Sequence, residues 1–306
     1  IRDRSESSLF ENLDQIPSSD KISLDRMLEF TAKHRNVNRE ESLDYLERIK
    51  VTAIRTENGK ALVEYASQRL EIALESSDFK SGYKDLQELY SKHSELFSNQ
   101  EKATFLIQLG RFAVNLYLIE DAQSFIDQAL GYDDKEPNLS LIRATKGMLL
   151  FDQGKYDEAS VELFLALKYF ESSDNLMEQA RLNNSLGRLF AAVDDLQKAL
   201  VHYKKALDLS SLLNNEFRIA ILNSNLGSTY QSLDSNSRAL DYYDTSLKYA
   251  RKLGNSSLIA QNLLNKGNIY VKLNLLSDAE EEYRKSLQIC YTSLSLIHIS
   301  EPTRPY

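Results

Sequence analysis

The side chains best suited to catalysis are few in this chain, and their spacing is wrong for it. The credible histidines are His34, His93 and His202, and Cys290 is the single cysteine. No H-x-x-x-H or H-E-x-x-H pair and no cysteine cluster occurs, so the sequence predicts no metal site. It also contains no G-x-S-x-G nucleophile motif and no glycine-rich phosphate loop. We therefore expect a protein that is not an enzyme and that uses no cofactor.

The carboxylates are numerous, but their positions indicate a structural role. Asp194 and Asp195, and the run from Glu280 to Glu282, fall at predicted turns and helix starts. Negative charge at the start of a helix is favourable because it complements the helix dipole. The period of the surrounding helix places His202 on the solvent side, which predicts an exposed structural residue rather than a ligand.

The strongest pattern in the sequence is a 40-residue repeat. A glycine is followed after 12 residues by alanine, after 19 by a small residue and after 20 by leucine. A fixed period of this size predicts stacked copies of one supersecondary unit. Such arrays usually serve as binding surfaces. The four clear copies have their glycines at Gly147, Gly187, Gly227 and Gly267.

Each copy predicts a pair of helices. In the copy at Gly187, the spans from Met177 to Val193 and from Leu196 to Leu213 follow the i, i+3, i+4, i+7 pattern of amphipathic helices. The residues between them suffice only for an antiparallel turn. A glycine inside a helix costs about 1 kcal/mol relative to alanine. Its recurrence therefore predicts close helix contact, with Tyr203 and its equivalents as wedges. Residues 277–280 predict a capping box for the last helix.

The composition agrees with an all-helical chain. Hydrophobic residues make up 42% of the 306 residues, and only 10 glycines and 4 prolines interrupt them. Weaker copies of the repeat extend backward, phased on Gly110, Leu70 and Phe30, for about seven helical hairpins. We predict a lead-in over residues 1–21, degenerate hairpins over 22–136, a regular array over 137–291 and a tail over 292–306.

Net charge and hydropathy restrict the classes of partner that this chain is expected to bind. The net charge of −8 speaks against a nucleic-acid binder, which needs a basic face. The sequence contains no run of about 18 apolar residues, so it predicts no membrane span. A lone cysteine fits the cytoplasm, whereas a start without methionine fits an exported domain, so the compartment stays open.

The repeat resembles the tetratricopeptide repeat. The stretch from Gly147 to Ala159 and the G-x-x-Y sequences at Gly227 and Gly267 carry the resemblance. The family's tryptophan and closing proline are absent, and the period is 40 rather than about 34. These departures resemble the long-helix subclass found in peptide-binding scaffolds and bacterial sensor proteins. The resemblance implies an all-α, right-handed superhelical solenoid of antiparallel helix pairs.

The resemblance also implies a peptide-binding groove. In this family the first helix of each pair lines the groove, at positions just before and after the glycine. Asparagine carries a donor and an acceptor, so an asparagine ladder can pair with both groups of an extended backbone, and arginines can contact a carboxylate. The alternatives are hydrogen bonds between neighbouring helices and simple exposure. The expected groove residues are Arg181, Asn184, Arg188, Asn225, Ser228, Gln261, Asn265 and Asn268.

Two functions follow from these patterns. The first is a protein- or peptide-binding scaffold that forms the interaction or sensory region of a larger bacterial-type regulatory protein in signal transduction. The second is a structural assembly factor that acts through self-association. The apolar Leu264 argues against the lysine and asparagine clamp with which one subclass binds chaperone C-termini.

The end of the sequence departs from the repeat. Residues 294–304 resemble the in-frame translation of a transposase-type sequencing adapter. On this interpretation the natural protein continues beyond about Cys290. The last repeat would then expose Leu263, Ile269, Tyr283 and Leu287, and further repeats or a connector should follow.

Overall fold

Every regular element in the described part of the chain is helical, as the sequence predicts. The computed structural model describes residues 21–34, 39–76 and 78–300, and side chains within 24–32, 40–76 and 78–291. The predicted lead-in lies almost entirely outside the described residues, as do residues 301–306 of the predicted tail. The chain divides into two compact units, residues 1–155 and 156–306.

The described part of the first unit contains seven α-helices of unequal length around one apolar core. Neighbouring helices in sequence pack against each other, and buried side chains such as Leu46, Leu70, Leu86 and Phe112 fill the core. A short 3₁₀ turn, Ser94–Leu96, follows the fourth helix. The helices are α1 (Lys21–His34), α2 (Arg39–Arg55), α3 (Gly59–Ser76), α4 (Phe79–His93), α5 (Asn99–Asn115), α6 (Ile119–Tyr132) and α7 (Asn138–Asp152).

The second unit is far more regular. Its first six helices have 17 residues each, and turns of three residues join them. One helix and one turn span twenty residues, which accounts for the 40-residue period of the sequence. The helices are α8 (Tyr156–Ser172), α9 (Leu176–Ala192), α10 (Leu196–Leu212), α11 (Glu216–Ser232), α12 (Asn236–Lys252), α13 (Ser256–Lys272) and α14 (Leu276–Ser300).

The turns of the second unit share one backbone device. The middle residue of each has a positive φ, between 50° and 65°. Asp, Asn and Gly tolerate this left-handed region better than other residues. Gly254 occupies this position in one turn, and the other turns use a short polar side chain instead. These residues are Asp174, Asp194, Asn214, Asp234, Gly254 and Asn274.

Side-chain caps then start the helices after the turns. The Oδ1 atoms of Asn175, Asn215 and Asn255 accept the backbone N–H three residues on, at 3.1, 3.0 and 2.9 Å. Asp195 caps α10 in the same way. Each cap satisfies a donor that the first turn of a helix leaves unpaired.

Three of the recurring glycines, Gly187, Gly227 and Gly267, sit against tyrosine rings, which confirms the wedge prediction for their repeats. A Cβ on Gly187 would lie 2.5 Å from the Tyr203 ring, and one on Gly227 would lie 2.7 Å from the Tyr243 ring. Gly267 faces Tyr283 in the same way. A side chain at any of these positions would force the paired helices apart.

Three expectations for the last helix pair are wrong. Ser277 lies inside α14 rather than capping it, because the three-residue turn sets the helix start at Leu276. The backbone stays helical through Ser300, although the departure of residues 294–304 from the repeat predicts that the helical pattern ends before them. Leu263 and Ile269 are buried, since α13 turns them inward; Leu287 is exposed as expected.

Candidate functional site

The predicted groove residues lie on one repeated surface of the second unit. They belong to α9, α11 and α13, the first helices of three successive pairs. Arg188, Ser228, Gln261 and Asn268 are exposed. The rest are half-buried, so every member retains some exposure to solvent. We call this surface the helix-A face; its members are Arg181, Asn184, Arg188, Asn225, Ser228, Gln261, Asn265 and Asn268.

Two of the asparagines bond to each other across neighbouring helices. The Nδ2 atom of Asn225 donates to Oδ1 of Asn184 at 3.0 Å. This contact is the interhelix alternative that the sequence left open. Because each amide carries both a donor and an acceptor, the pair still presents the Asn184 amine and the Asn225 oxygen.

Other members meet tyrosine hydroxyls that reach the helix-A face from the second helix of each pair. The hydroxyl of Tyr243 donates to Oε1 of Gln231 at 2.8 Å, and it also meets the side chains of Ser228 and Asn265. The hydroxyl of Tyr283 donates to Oδ1 of Asn268 at 2.7 Å. The tyrosine that fills the space beside each glycine therefore contributes a polar atom to this surface.

Burial raises the pKa of two of the wedge tyrosines, Tyr243 and Tyr203. Burial raises the pKa of Tyr243 to about 12, against a smaller lowering by Ser228 and Asn265. Burial also raises the pKa of Tyr203 to about 12, against a lowering by the nearby charge of Arg188. At neutral pH the hydroxyls act as hydrogen-bond donors.

The arginines differ in how strongly they are held. Arg181 is half-buried and lies 3.2 Å from the carboxylate of Glu178, one turn earlier in α9. Arg188 lies on the more exposed part of α9, beside Tyr203. Among the described residues, Gln261 forms no hydrogen bond with the other members of the face. The surface thus holds a fixed arginine, an exposed arginine and a row of amides and hydroxyls.

Comparison with known sequences assigns the repeat. Residues 218–292 match the family model of the tetratricopeptide repeat. This segment is a tetratricopeptide repeat array. No curated protein sequence matches the chain.

Solved structures share the fold of the chain. A Rap protein complexed with competence and sporulation factor has 15% identity and a TM-score of 0.62, with 94% of this chain and 91% of that chain covered. A signal-transduction ATPase (STAND protein) from Pyrococcus horikoshii, with a tetratricopeptide repeat sensor, has 16% identity and a TM-score of 0.59, covering 92% of this chain and 45% of that one. BtubC from P. vanneervenii has 18% identity and a TM-score of 0.55, covering 78% and 95%. These similarities show a tetratricopeptide-repeat fold of paired helices.

The repeats also contain a buried polar row that sequence reasoning missed. The Ser224 hydroxyl donates to Asn262 Oδ1, and the Asn262 amide donates to the Ser246 hydroxyl, both at 2.7 Å. The Ser246 hydroxyl donates in turn to the Ala220 carbonyl at 2.7 Å. These side chains are buried, so they tie α11, α12 and α13 together rather than bind a ligand. The sequence carries two adjacent polar residues in the first helix of each of these pairs, and this pattern could have revealed the buried polar row.

His202 is not the exposed residue that the sequence predicts. It is half-buried, stacked on Phe190 with 5.3 Å between ring centroids, and edge-on to Phe164 at 5.8 Å. Its Nδ1 lies 2.9 Å from Oδ1 of buried Asn183. Phe164, from the preceding helix pair, covers it, and a single-helix period cannot reveal that neighbour. Burial lowers the pKa of His202, and Lys205 lowers it further, against an opposite effect of Glu171.

Two further searches concern the described residues alone. Within them no group of three or more His, Cys, Asp or Glu side chains could hold a metal ion. None of their helices is long and apolar enough to cross a membrane.

Proposed function

We propose that the helix-A face binds an extended segment of a protein or peptide. The observation that carries this proposal is the repetition of accessible amides, hydroxyls and arginines along α9, α11 and α13 at one repeat pitch. An extended peptide offers N–H and C=O groups at regular intervals, and paired donors and acceptors can bind both. Stacked helical repeats form extended surfaces suited to such ligands.

We also propose that this binding serves regulation, with the chain as the interaction or sensory region of a larger signalling protein. Two proteins of the same fold support this reading, the Rap protein bound to competence and sporulation factor and the STAND protein with a repeat sensor. Their sequence identity is low, so the support comes from shared architecture.

Peptide selection tests the binding proposal directly. A library of random 12-residue peptides is displayed and selected against the chain, and enriched peptides are synthesised for titration. The double variant Asn225→Ala/Asn265→Ala should weaken their binding by about tenfold, as expected for the loss of one or two hydrogen bonds. The matched control Gln197→Ala/Ser237→Ala removes exposed polar groups from α10 and α12 and should leave affinity unchanged. Equal affinity of wild type and a folded double variant would refute the proposal.

The regulatory part has a separate test. Sequencing the source locus across both ends of this chain should show a reading frame that runs into an output module, such as a kinase, a nucleotide cyclase or a DNA-binding domain. A stop codon within about one further repeat would contradict it and would indicate a free-standing scaffold.

Self-association remains the second candidate, because one observation favours it. The last helix pair exposes a group of large apolar side chains, where a soluble surface usually exposes them singly. Light scattering over a concentration series would show a rising mass if this surface pairs with another copy. A constant monomer mass would exclude this candidate. The residues are Leu264, Val271, Leu273, Leu275 and Leu276.

A further inference from the structure

The outer surface of the second unit changes in character along the array. The positions 14, 17 and 18 residues after each repeat glycine are exposed in α8, α10, α12 and α14. In α12 and α14 these positions hold charged side chains and one threonine. In α8 all three are apolar, and in α10 the first is. These four apolar side chains, which we call the α8–α10 patch, are Val161, Phe164, Leu165 and Val201.

The patch is continuous because its two helices lie side by side. Val161, Phe164 and Leu165 are three or four residues apart, which makes them neighbours on one face of α8. The Phe164 ring meets the His202 ring edge-on, with 5.8 Å between centroids, and Val201 precedes His202 on α10. The exposed fractions of the four patch residues lie between 42% and 64%. A soluble surface usually exposes such side chains singly, so a group of four indicates a contact surface.

Equivalent repeat positions of α8 and α10 lie at nearly the same height along the helix axis. Phe164 comes 17 residues after its glycine and His202 comes 15 after its own, yet their rings meet. Two residues of α-helix amount to about 3 Å along the axis. Glu171 and Lys205 form a salt bridge further along both helices. The two helices therefore run in the same direction, with their repeat positions side by side.

Charged side chains flank the patch, and their signs are opposite on the two helices. Eleven residues after the glycine, α8 has Glu158 and α10 has Lys198. Twenty-one residues after it, α8 has Lys168 and α10 has Asp208. All four are exposed, and the apolar patch lies between them along the helices. Such a surface is complementary in charge to a second copy of itself.

We propose that the α8–α10 patch is the contact surface of a symmetric dimer, in which a second copy of this chain covers it. A two-fold axis parallel to the helices and midway between them places α8 of each copy on α10 of the other. Val161 then lies against Val201 of the second copy, and Lys168 lies against its Asp208. An axis across the helices would instead leave Val201 against Lys205 of the second copy, without an apolar partner. The inference is independent of the proposed peptide binding, because the helix-A face takes no part in this contact.

The size of the surface suits a weak dimer. Each helix has 17 residues. Two such helices side by side cover roughly 25 by 20 Å. This footprint is close to the lower limit for specific interfaces, which bury about 1,000 Å² over both copies. The dimer should therefore dissociate in the micromolar range.

Light scattering of the full chain over about 1 to 100 μM tests the dimer. The mass should rise toward twice that of the monomer. Val201→Asp should weaken the dimer about tenfold or more, because it places a charge in the apolar centre. The fold should tolerate this change, since Asp241 occupies the same position in the next repeat. The matched control Val51→Asp changes a similarly exposed valine of the first unit and should leave the mass unchanged.

Charge exchange tests how the two copies are arranged. Lys168→Asp or Asp208→Lys places like charges opposite each other in both symmetric contacts, which should weaken the dimer about tenfold. Combined in one chain, the two substitutions bring opposite charges together again. The double variant should therefore dimerise like the wild type. Damage to the fold cannot produce such a restoration.

Three results would overturn the inference. A wild-type mass that stays monomeric would exclude self-association and leave peptide binding intact. A dimer that survives Val201→Asp would lie on another surface, and its loss in Leu276→Asp would assign it to the last helix pair. Single charge variants that weaken the dimer without restoration in the double variant would refute the pairing of α8 with α10.

Discussion

The two units of this chain differ in how regular their helices are in length and spacing. In the second unit, helices α8 to α13 all have 17 residues, and equivalent side chains recur every 40 residues. In the first unit the helices vary from 14 to 18 residues. Regular spacing lets one surface repeat a binding group at constant pitch. Irregular spacing prevents such a ladder, so contacts specific to each pair hold the helices of the first unit.

Beside the apolar core, some of those contacts are charge-assisted hydrogen bonds. The Tyr65 hydroxyl donates to Asp85, which also binds Lys50 at 2.9 Å. The Tyr83 hydroxyl donates to Asp121 at 2.7 Å. Burial raises the pKa of both tyrosines, and the neighbouring carboxylates add to the shift. In the second unit the corresponding tyrosine partners are neutral amides, so single contacts there should contribute less.

The largest expected difference between the units concerns their glycines. Gly227→Ala would place a Cβ 2.7 Å from the buried Tyr243 ring and should cost about 2–3 kcal/mol of unfolding free energy. Gly110→Ala in the first unit meets its nearest side-chain atom, in Thr145, at 3.5 Å. It should gain up to about 1 kcal/mol from helix propensity. Urea unfolding of both variants measures this contrast, and equal effects would show that the glycine has no special role in the regular array.

The tyrosine hydroxyls should give the next largest difference. Tyr65→Phe removes one of the two donors to Asp85, with Lys50 as the other, and should cost about 2 kcal/mol, because the lost bond involves a charged group. Tyr243→Phe breaks a bond to the neutral Gln231 and should cost about 1 kcal/mol. The same denaturation series measures both. A larger loss for Tyr243→Phe would reverse our account of how the two units are held.

Helix caps should not distinguish the units, because capping is a local interaction. Ser98 starts α5 through a capping box with Glu101, and Asn255 caps α13. Ser98→Ala and Asn255→Ala should each cost about 1 kcal/mol. Thermal unfolding of the two variants provides the check. A cost confined to one unit would mean that the other tolerates fraying at its turns.

The smallest expected effect is a pH dependence confined to the second unit. Burial holds the pKa of His202 below its usual value of 6.5, so protonation favours the unfolded chain. Stability linked to this residue is present above pH 6.5 and is lost as the pH falls through the lowered pKa. His202→Gln should flatten the fall in unfolding free energy between pH 7 and pH 5. An unchanged slope would assign the acid sensitivity to other groups.

Much of the second unit could be predicted from local patterns. The predicted span from Met177 to Val193 differs from α9 by one residue at each end, and the predicted start of α10 at Leu196 is confirmed. Amphipathic period and short polar turns determine such bounds without reference to distant residues. The capping box at residues 277–280 failed because turn geometry, rather than the Ser–Glu spacing, determines where α14 begins.

The candidate site was predictable in outline but not in its contacts. The glycine offsets selected eight residues on α9, α11 and α13, and all of them are exposed or half-buried. They could not show that Asn225 donates to Asn184, or that Ser228, Asn265 and Asn268 meet tyrosine hydroxyls. These partners come from different helices, and their mutual orientation depends on how the helices pack.

The sequence by itself determined the helix pairs, their period and the surface that carries polar residues, because each follows from the spacing of residue types along one chain segment. Only the tertiary structure decided which polar residues form hydrogen bonds inside the array and which remain accessible to a ligand. Asn183 and Asn184 are adjacent and alike, yet the first is sealed beneath His202 and the second faces outward. Neighbouring positions on a helix point about 100° apart, so the surrounding helices, rather than residue type, determine what each can bind.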